Sequence, residues 1–158
     1  MSRSIRVFIG EDRIVLQPCH KFRHKYGDDG RFCGSPVTCI AHSSTVSEIL
    51  SAIDQTFSHC QDDAPQPTDL KAELVPLLQV TKEKTWHAIT RSFAYISIRE
   101  EDTDLIFSPL RPEKGAFLGV GKLWRSSSAD RAGMASAFRA AAAVAIEEQN
   151  LHNPPPLS

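Results

Sequence analysis

Short β-rich apolar runs on either side of polar turns predict two β-hairpins that lie about ninety residues apart in the chain. Each hairpin consists of two short apolar strands around a charged turn, and each returning strand runs into a proline. The segments are Ile5–Ile9, Glu11–Arg13, Ile14–Leu16 and Pro18 in the first copy, and Tyr95–Ile98, Glu100–Asp104, Leu105–Phe107 and Pro109 in the second. The matching order of these segments indicates an internal repeat.

The repeat continues beyond the hairpins into a third strand and a helix. A loop rich in glycine and charge precedes each third strand, and a cluster of Ser and Thr precedes each helix. The loops are 19–34 and 111–115, the third strands are Val37–Ile40 and Phe117–Trp124, and the helix starts are Ser43–Thr45 and Ser126–Ser128. Thr45 and Glu48 form a capping-box pattern, and Ser128 is the expected cap of the second helix. Each copy is therefore predicted to be a βββα unit.

The segment between the two copies predicts a polar linker, 61–67, followed by two short helices. Thr68 is expected to cap a helix over Asp69–Leu78, which Pro76 should kink or shorten. Thr81 is expected to cap the next helix, over Lys82–Ser92. After the second copy, the proline-rich residues 153–158 predict a disordered tail.

These elements predict a single α+β domain over residues 1–152, with a mostly antiparallel β-sheet, flanking helices and a pseudo-repeat of two βββα halves. The halves occupy 4–60 and 93–150, and the linker with its helices occupies 61–92. A length of 158 residues, with 41% hydrophobic and 23% charged residues, is typical of one ordinary globular domain.

The charge balance argues against two classes of partner. The chain has 18 Lys and Arg residues against 19 Asp and Glu residues, which gives a formal charge of −1. A protein that holds nucleic acid through its phosphates, or a membrane through a polybasic segment, is expected to carry a basic excess. We therefore predict that the protein binds neither nucleic acid directly nor a membrane.

No apolar run is long enough for a transmembrane segment, and residues 1–13 lack the apolar region of a secretory signal. This predicts a cytoplasmic protein. The chain has four cysteines, and a domain of this size without an export signal does not need disulfides for its stability. The cysteines are therefore expected to be reduced thiols.

A zinc site is the first alternative that the residues suggest, because thiolate and imidazole groups cluster within about twenty positions. The cluster consists of Cys19, His20, His24, Cys33 and Cys39. Its spacing is unlike that of structural zinc sites, and Cys39 lies in an apolar run. The favoured interpretation is core cysteines and solvated loop histidines, with no metal or other cofactor. A small metal- or thiol-dependent enzyme using Cys19, His20, His24 and Cys33 stays open as the alternative.

A Cys/His hydrolase would combine Cys33 or Cys60 with one of three histidines, namely His42, His59 and His87. No motif places any of these side chains together, and none of the common nucleotide-binding or hydrolase motifs occurs. We therefore expect a protein without catalytic residues.

Two charged segments are candidates for binding. Residues 21–26 interleave cations with Phe22 and Tyr26, a pattern that suits single-stranded nucleic acid, although Asp28 and Asp29 follow at once. A nucleic-acid-binding domain is thus a second alternative. The densest cluster of one sign is the acidic turn formed by Glu100, Glu101, Asp102 and Asp104, which is called the acidic tip below. Its carboxylates serve solubility or a cationic partner.

With the repeat laid out, the chain resembles the bacterial contact-dependent growth inhibition immunity proteins. The resemblance lies chiefly in the second half, while the first half is looser. The matching segments are Lys84–Ile89 before the Ala94–Ile98 strand, the charged turn and strand of Glu101–Pro109, and the helix of Ser127–Ala140 with its Gly133. In that helix the chain has Asp130 and Arg131 where the family often has paired glutamates.

The resemblance implies a non-enzymatic cytoplasmic protein that forms a one-to-one complex with the C-terminal toxin domain of a cognate effector. The toxin would often be a nuclease, whose active site the immunity protein occludes. Because nucleases that hold phosphates are commonly basic, carboxylates on turns are the expected contacts. The candidate contact residues are Asp28, Asp29, Glu100, Glu101, Asp102 and Asp104, with Arg111 and Glu113 next.

Overall fold

The computed structural model describes residues 3–23, 27 and 29–153, and it shows an α+β domain built on an antiparallel sheet. The first half contains β1 (Ser4–Ile9), β2 (Arg13–Arg23), β3 (Asp29–Cys33), β4 (Thr38–Ala41) and α1 (Val46–Ser58). The middle contains α2 (Leu70–Thr81) and α3 (Trp86–Ser92). The second half contains β5 (Ala94–Glu101), β6 (Asp104–Glu113), β7 (Ala116–Gly119), β8 (Trp124–Ser127) and α4 (Arg131–His152).

The sheet has a pseudo-symmetric arrangement that follows the sequence repeat. Strands β1 and β5 pair at the centre, β2 and β6 flank them, and each flanking strand has two outer partners. The outer partners are β3 and β4 on β2, and β7 and β8 on β6. The predicted repeat is thus present, but each half has four strands rather than three.

The extra strand in each half arises because the two prolines do not end their strands. Pro18 lies in β2 between the segment that pairs with β4 and the segment that pairs with β3. Pro109 holds the same position in β6, between its pairing with β8 and its pairing with β7. A proline has no N–H to donate to a neighbouring strand. It is tolerated here because each proline lies between the segments that pair with the two outer strands, where no outer strand needs that N–H. The predicted loop 19–34 is therefore mostly a hairpin, and 117–124 is two strands.

The larger core lies between one face of the sheet and helices α1 and α4. It contains sheet residues such as Val7, Ile96 and Phe107, each 0% exposed. Helix α4 approaches the sheet closely through small side chains, including Ala141 and Ala145. Thr45 and Glu48 form the predicted capping box at the start of α1, which confirms this element.

The other face of the sheet carries a smaller core under α2 and α3. Phe8, next to Val7 in β1, points to this side and packs edge-on against Trp86 and Tyr95. Adjacent residues thus serve opposite cores, as strand alternation requires.

The helix ends differ from the prediction at three places. Asp69 caps α2, Thr85 caps α3 and Asp130 caps α4, in place of Thr68, Thr81 and Ser128. Pro76 lies inside α2, which continues to Thr81. Thr81 therefore ends α2, and its hydroxyl donates to the Leu77 carbonyl.

No helix within the described ranges is long and apolar enough to cross a membrane. The predicted disordered tail lies outside the described residues, apart from Asn153, which ends α4.

Candidate functional site

A disulfide links Cys19 and Cys33, so the expectation of reduced thiols is wrong for these two residues. The two residues are direct partners in the antiparallel pair of β2 and β3, which places their side chains on the same face. Sequence reasoning treated 19–34 as a loop and could not find this pairing. Sulfurs joined in a disulfide are not thiolate ligands, so the alternative of a zinc site loses two of its candidate ligands.

The remaining members of that cluster also differ from expectation. His20 is buried, with only 3% of its surface exposed, rather than a solvated loop residue. Its Nδ1 accepts the backbone N–H of Gln61 at 3.1 Å, and its Nε2 donates to the Ser35 carbonyl at 2.7 Å. Cys39 is exposed on β4 rather than buried, and His24 lies outside the described residues.

Across the ranges that the structure describes, no group of three or more potential metal ligands comes together. The buried ring of His20 has a structural role, because both of its nitrogens form hydrogen bonds to backbone groups. One bond connects β2 to Gln61 at the start of the linker, and the other connects it to Ser35.

The candidate Cys/His pairs are likewise engaged with the backbone. Cys60 is half-buried and its thiol donates to the Ser4 carbonyl at 3.4 Å, while burial raises the pKa of this thiol. Nδ1 of His42 lies 2.9 Å from the Gly10 carbonyl. A thiol with a raised pKa is a weak nucleophile near neutral pH. This arrangement holds the chain together and does not suit nucleophilic catalysis.

The basic stretch 21–26 belongs largely to strand β2, and its last three residues lie outside the described ranges. Phe22 packs against Phe32 with ring centroids 5.9 Å apart and covers Gly30, so its ring is used within the hairpin. Lys21 stands opposite Arg31 in the strand pair. A stacking platform for bases needs an open aromatic face, which Phe22 does not offer.

The acidic tip is not a bare cluster of carboxylates, because three arginines, two of them from other segments of the chain, neutralise most of its charge. Glu100 accepts a bidentate pair from Arg3, with the Nη2 to Oε2 distance at 2.8 Å. Arg125 of β8 bonds Asp104 at 3.0 Å and Glu101 at 3.1 Å. Arg99 lies 3.7 Å from Glu101. Arg125 reaches both carboxylates because β8 pairs with β6, where Asp104 begins the strand.

Asp102 differs from the other tip residues. It occupies the turn between β5 and β6 with a φ of 57°, it is exposed, and it takes part in no ion pair within the described part of the chain. The tip thus consists of carboxylates paired with arginines, together with Asp102, whose carboxylate has no ion-pair partner among the described residues.

The other candidate contact residues are spread over different parts of the surface. Arg111 and Glu113 form a half-exposed ion pair at 3.3 Å on the strand that leads to the β6–β7 turn. Asp29 begins β3 opposite Arg23, and Asp28 lies outside the described residues. The structure therefore groups Glu100 to Asp104 in one place and sets the remaining candidates apart from them in the fold.

The bond from Arg3 predicts a pH dependence of stability that passes through Glu100. This hydrogen bond lowers the pKa of Glu100 below its ordinary value. Because the folded pKa is below the unfolded one, the ionised side chain stabilises the fold above about pH 4.3, and this contribution disappears as the pH falls through the folded pKa. Glu100→Gln is therefore expected to be less stable than the wild type at pH 7 and equally stable near pH 2, measured by urea denaturation.

A matched control for this prediction is Glu11→Gln, which changes an exposed turn residue outside any described ion pair. Its stability should follow the wild type at both pH values. Equal stability of Glu100→Gln and the wild type at pH 7 would refute the assigned role of the Arg3 bond.

A cleft with a volume of about 1010 Å³ lies at the opposite end of the sheet from the tip. The C-terminal ends of α2, α3 and α4 line it together with the β1–β2 turn. Side chains tie these ends together: Arg13 donates to the Val80 carbonyl, Gln149 to the Arg91 carbonyl and Asn153 to the Thr90 carbonyl. Sequence reasoning missed the cleft because its walls come from five separated segments of the chain.

The cleft is polar and of mixed charge. Its walls include the carboxylates of Glu11 and Glu83 and the cations of Lys82 and Arg91. The negative ends of the helix dipoles and these charged side chains suit a polar ligand better than an apolar one.

Comparison with known proteins identifies the fold and leaves the family open. No family model and no curated protein sequence matches the chain. Among solved structures, a protein of unknown function from Neisseria meningitidis matches with a TM-score of 0.72 at 12% identity, covering 91% of this chain and 95% of that one. A chain of the CdiA-CT/CdiI toxin and immunity complex from Yersinia pseudotuberculosis matches with a TM-score of 0.68 at 13% identity, covering 92% and 97%. The chain therefore shares its fold, over nearly its whole length, with a component of a toxin and immunity complex.

Proposed function

We propose that this protein is the immunity partner in a contact-dependent growth inhibition system. It binds the C-terminal toxin domain of a cognate effector, one to one, and blocks the toxin's activity in the cytoplasm of the producing cell. The observation that carries this proposal is the fold shared with a chain of the CdiA-CT/CdiI toxin and immunity complex along 92% of this chain. The motifs of the second half, such as the Ser127–Ala140 helix, support the same assignment.

The toxin in this proposal is a nuclease, and the immunity protein covers its active site without catalysing any reaction. A nuclease must hold phosphates and is therefore expected to present a basic surface around its active site. Carboxylates on the immunity protein complement such a surface.

The acidic tip is the proposed docking surface, and its ion pairs decide which residues matter most. The charges of Glu100, Glu101 and Asp104 are already balanced by arginines within the same protein. Asp102 is exposed and outside these pairs, so it contributes most to long-range attraction. The paired carboxylates and arginines then fix the register of the docked partner, because opposite and like charges alternate across this surface.

Two further groups complete the proposed contacts. Asp29, which follows Asp28 in the sequence, begins β3, and Arg111 with Glu113 lies beside the β6–β7 turn. These places are equivalent in the two halves of the pseudo-repeat, which makes both hairpins suitable for variation without change to the central sheet.

Co-purification of this protein with the product of the reading frame immediately upstream is the direct test of the immunity function. A stable one-to-one complex, together with survival of cells that express the toxin domain only when this protein is also present, is expected. Failure of the protein to bind or to protect against that domain would overturn the proposal.

Charge reversal at the tip tests the docking surface separately. Asp102→Lys is expected to slow association with the toxin domain about threefold at low salt, because it removes the free carboxylate and adds a cation. The measurement is the association rate at two ionic strengths, and the difference should shrink at high salt.

Glu147→Lys makes the same charge change on an exposed residue of α4, sixteen positions after Arg131 and so roughly 24 Å along the helix from its tip-facing end. Its association rate should stay close to that of the wild type. Equal effects of the two substitutions would show that only net charge matters and would exclude the tip as the docking surface. The immunity function itself would be unaffected by that result.

A further inference from the structure

The disulfide joins the β2–β3 hairpin, which projects beyond the central sheet. Strand β3 pairs only with β2 among the described strands, and the Cys19–Cys33 disulfide adds a covalent cross-link between these two strands. Both cysteines are half-buried, and a solvent-borne thiol can therefore reach them. The hairpin includes the candidate contact Asp29, the first residue of β3.

A fixed cation lies directly against one of the two sulfurs. Nε of Arg6, from β1, is 2.8 Å from Sγ of Cys33. The Arg6 guanidinium lies over the Trp86 ring, 5.5 Å from its centroid, and Trp86 is itself anchored by a 2.9 Å hydrogen bond to the Gly115 carbonyl. Arg6 takes part in no ion pair with a carboxylate in the described ranges. Its positive charge is therefore available to the sulfur.

A cation in contact with a cysteine sulfur stabilises the thiolate, and the thiolate is both the nucleophile and the better leaving group in disulfide exchange. Charged residues also surround Cys19 and line a small pocket beside it, whereas Arg6 contacts the sulfur of Cys33 directly. This pocket is lined by Arg3, Lys21, Arg31, Cys60 and Asp62. Of the two sulfurs, Cys33 is the one that the structure prepares as a thiolate.

We propose that Cys19 and Cys33 form a reversible thiol–disulfide site in which Arg6 holds the reduced Cys33 as a reactive thiolate. Oxidation uses a low-molecular-weight disulfide. The Cys33 thiolate attacks one of its sulfurs, forms a mixed disulfide and releases one thiolate. The Cys19 thiolate then attacks the Cys33 sulfur, forms the Cys19–Cys33 bond and releases the second. One oxidant disulfide thus becomes two thiols, which take up one proton from Cys19 and one from solvent, because the Cys33 thiolate carries none, and a dithiol reductant reverses the reaction.

The site adds a property that the immunity function does not require. The assignment of the protein to the cytoplasm rests on the proposed function. In that compartment, protein disulfides are usually transient and responsive to redox conditions. The oxidised form ties β3 to β2, and the reduced form leaves that hairpin held by hydrogen bonds and packing alone. The chemistry of the site can be tested without the toxin, so its failure and the failure of the proposed function are distinguishable.

The test is alkylation of the fully reduced, folded protein by iodoacetamide over a range of pH, with mass spectrometry resolving each cysteine. Cys39, exposed on β4, serves as the internal reference. The rate profile of Cys33 is expected to have its midpoint about one pH unit below that of Cys39. In Arg6→Gln this gap should close, whereas Arg6→Lys, which keeps the charge, should retain most of it.

Arg99→Gln is the matched control, because Arg99 is a half-exposed arginine of the neighbouring strand β5 that pairs with Glu101. It should leave the Cys33 profile unchanged. Coincident profiles of Cys33 and Cys39 in the wild type, or a gap that survives in Arg6→Gln, would overturn the proposal. So would four titratable thiols in native protein treated with the oxidant, since this result means that the disulfide does not form.

Discussion

Replacing Phe107 with alanine is expected to lower the free energy of unfolding by about 3–5 kcal/mol. Phe107 lies in β6, is 0% exposed and stands directly between Ile98 of β5 and Trp124 of β8. Its ring fills the larger core where the sheet packs against α1 and α4. Truncation removes the apolar surface and leaves a cavity that neighbours on three strands cannot close.

This loss is large because domains of this kind are stable by only about 5–15 kcal/mol. Urea denaturation followed by circular dichroism measures it. Leu118→Ala is the control: Leu118 is an apolar residue of β7 that is 44% exposed, and its replacement should change stability by about 0.5 kcal/mol or less. A loss below about 1 kcal/mol for Phe107→Ala would mean that this core does not carry the fold.

Removal of the Cys19–Cys33 disulfide is expected to lower the stability of the oxidised protein by about 3 kcal/mol. The two cysteines are separated by 14 positions, and the bond restricts the unfolded chain to a loop of that length. The stabilisation therefore comes mainly from a lower entropy of the unfolded state in the chain-entropy description. The hairpin contacts in the folded state change little, because Cys19 and Cys33 are strand partners with or without the bond.

The comparison is between oxidised wild type, wild type with a dithiol, and Cys19→Ser/Cys33→Ser, all followed by urea denaturation. The last two should denature together, below the oxidised wild type. Cys39→Ser replaces an exposed cysteine outside the disulfide and should behave as the wild type, including its response to the dithiol. An identical urea midpoint for wild type with and without the dithiol would contradict the disulfide.

At the proposed docking surface, recognition of the toxin depends on the arrangement of the charges more than on the net charge of the protein. A formal charge of −1 provides little general attraction for a basic toxin. The acidic tip instead presents carboxylates and arginines in a fixed arrangement, with the Arg125 guanidinium between Glu101 and Asp104. A non-cognate toxin with a different charge pattern would place like charges together, which costs binding free energy.

Patterns that depend on neighbours in sequence predicted much of the fold. The β-rich runs Ile5–Ile9 and Tyr95–Ile98 predicted the two central strands, since the strand preference of such residues can be recognised without knowledge of the partner strand. The Thr45 and Glu48 capping box is confirmed for the same reason, as both groups lie within one helical turn. Helix ends with several adjacent Ser, Thr or Asp residues were less certain, and Asp130 caps α4 in place of Ser128.

The candidate site was predicted less well than the fold, because its chemistry depends on partners far along the chain. The acidic turn was visible as four carboxylates, but the arginines that neutralise it are distant, as Arg3 is from Glu100 and Arg125 from Glu101. The exposed state of Cys39 and the buried state of His20 likewise follow from which strand lies beside which.

By itself, the sequence determined that this protein is an α+β domain with two similar halves, because hydrophobic periodicity and helix caps act over a few residues. Only the tertiary structure decided that Pro18 and Pro109 sit where strands change partners, and that Cys19 faces Cys33 beside Arg6. The tertiary structure alone also decided that Asp102 is the tip carboxylate without an ion-pair partner among the described residues. These features depend on strand register, which is set by packing the whole sheet against its helices rather than by any local stretch of residues.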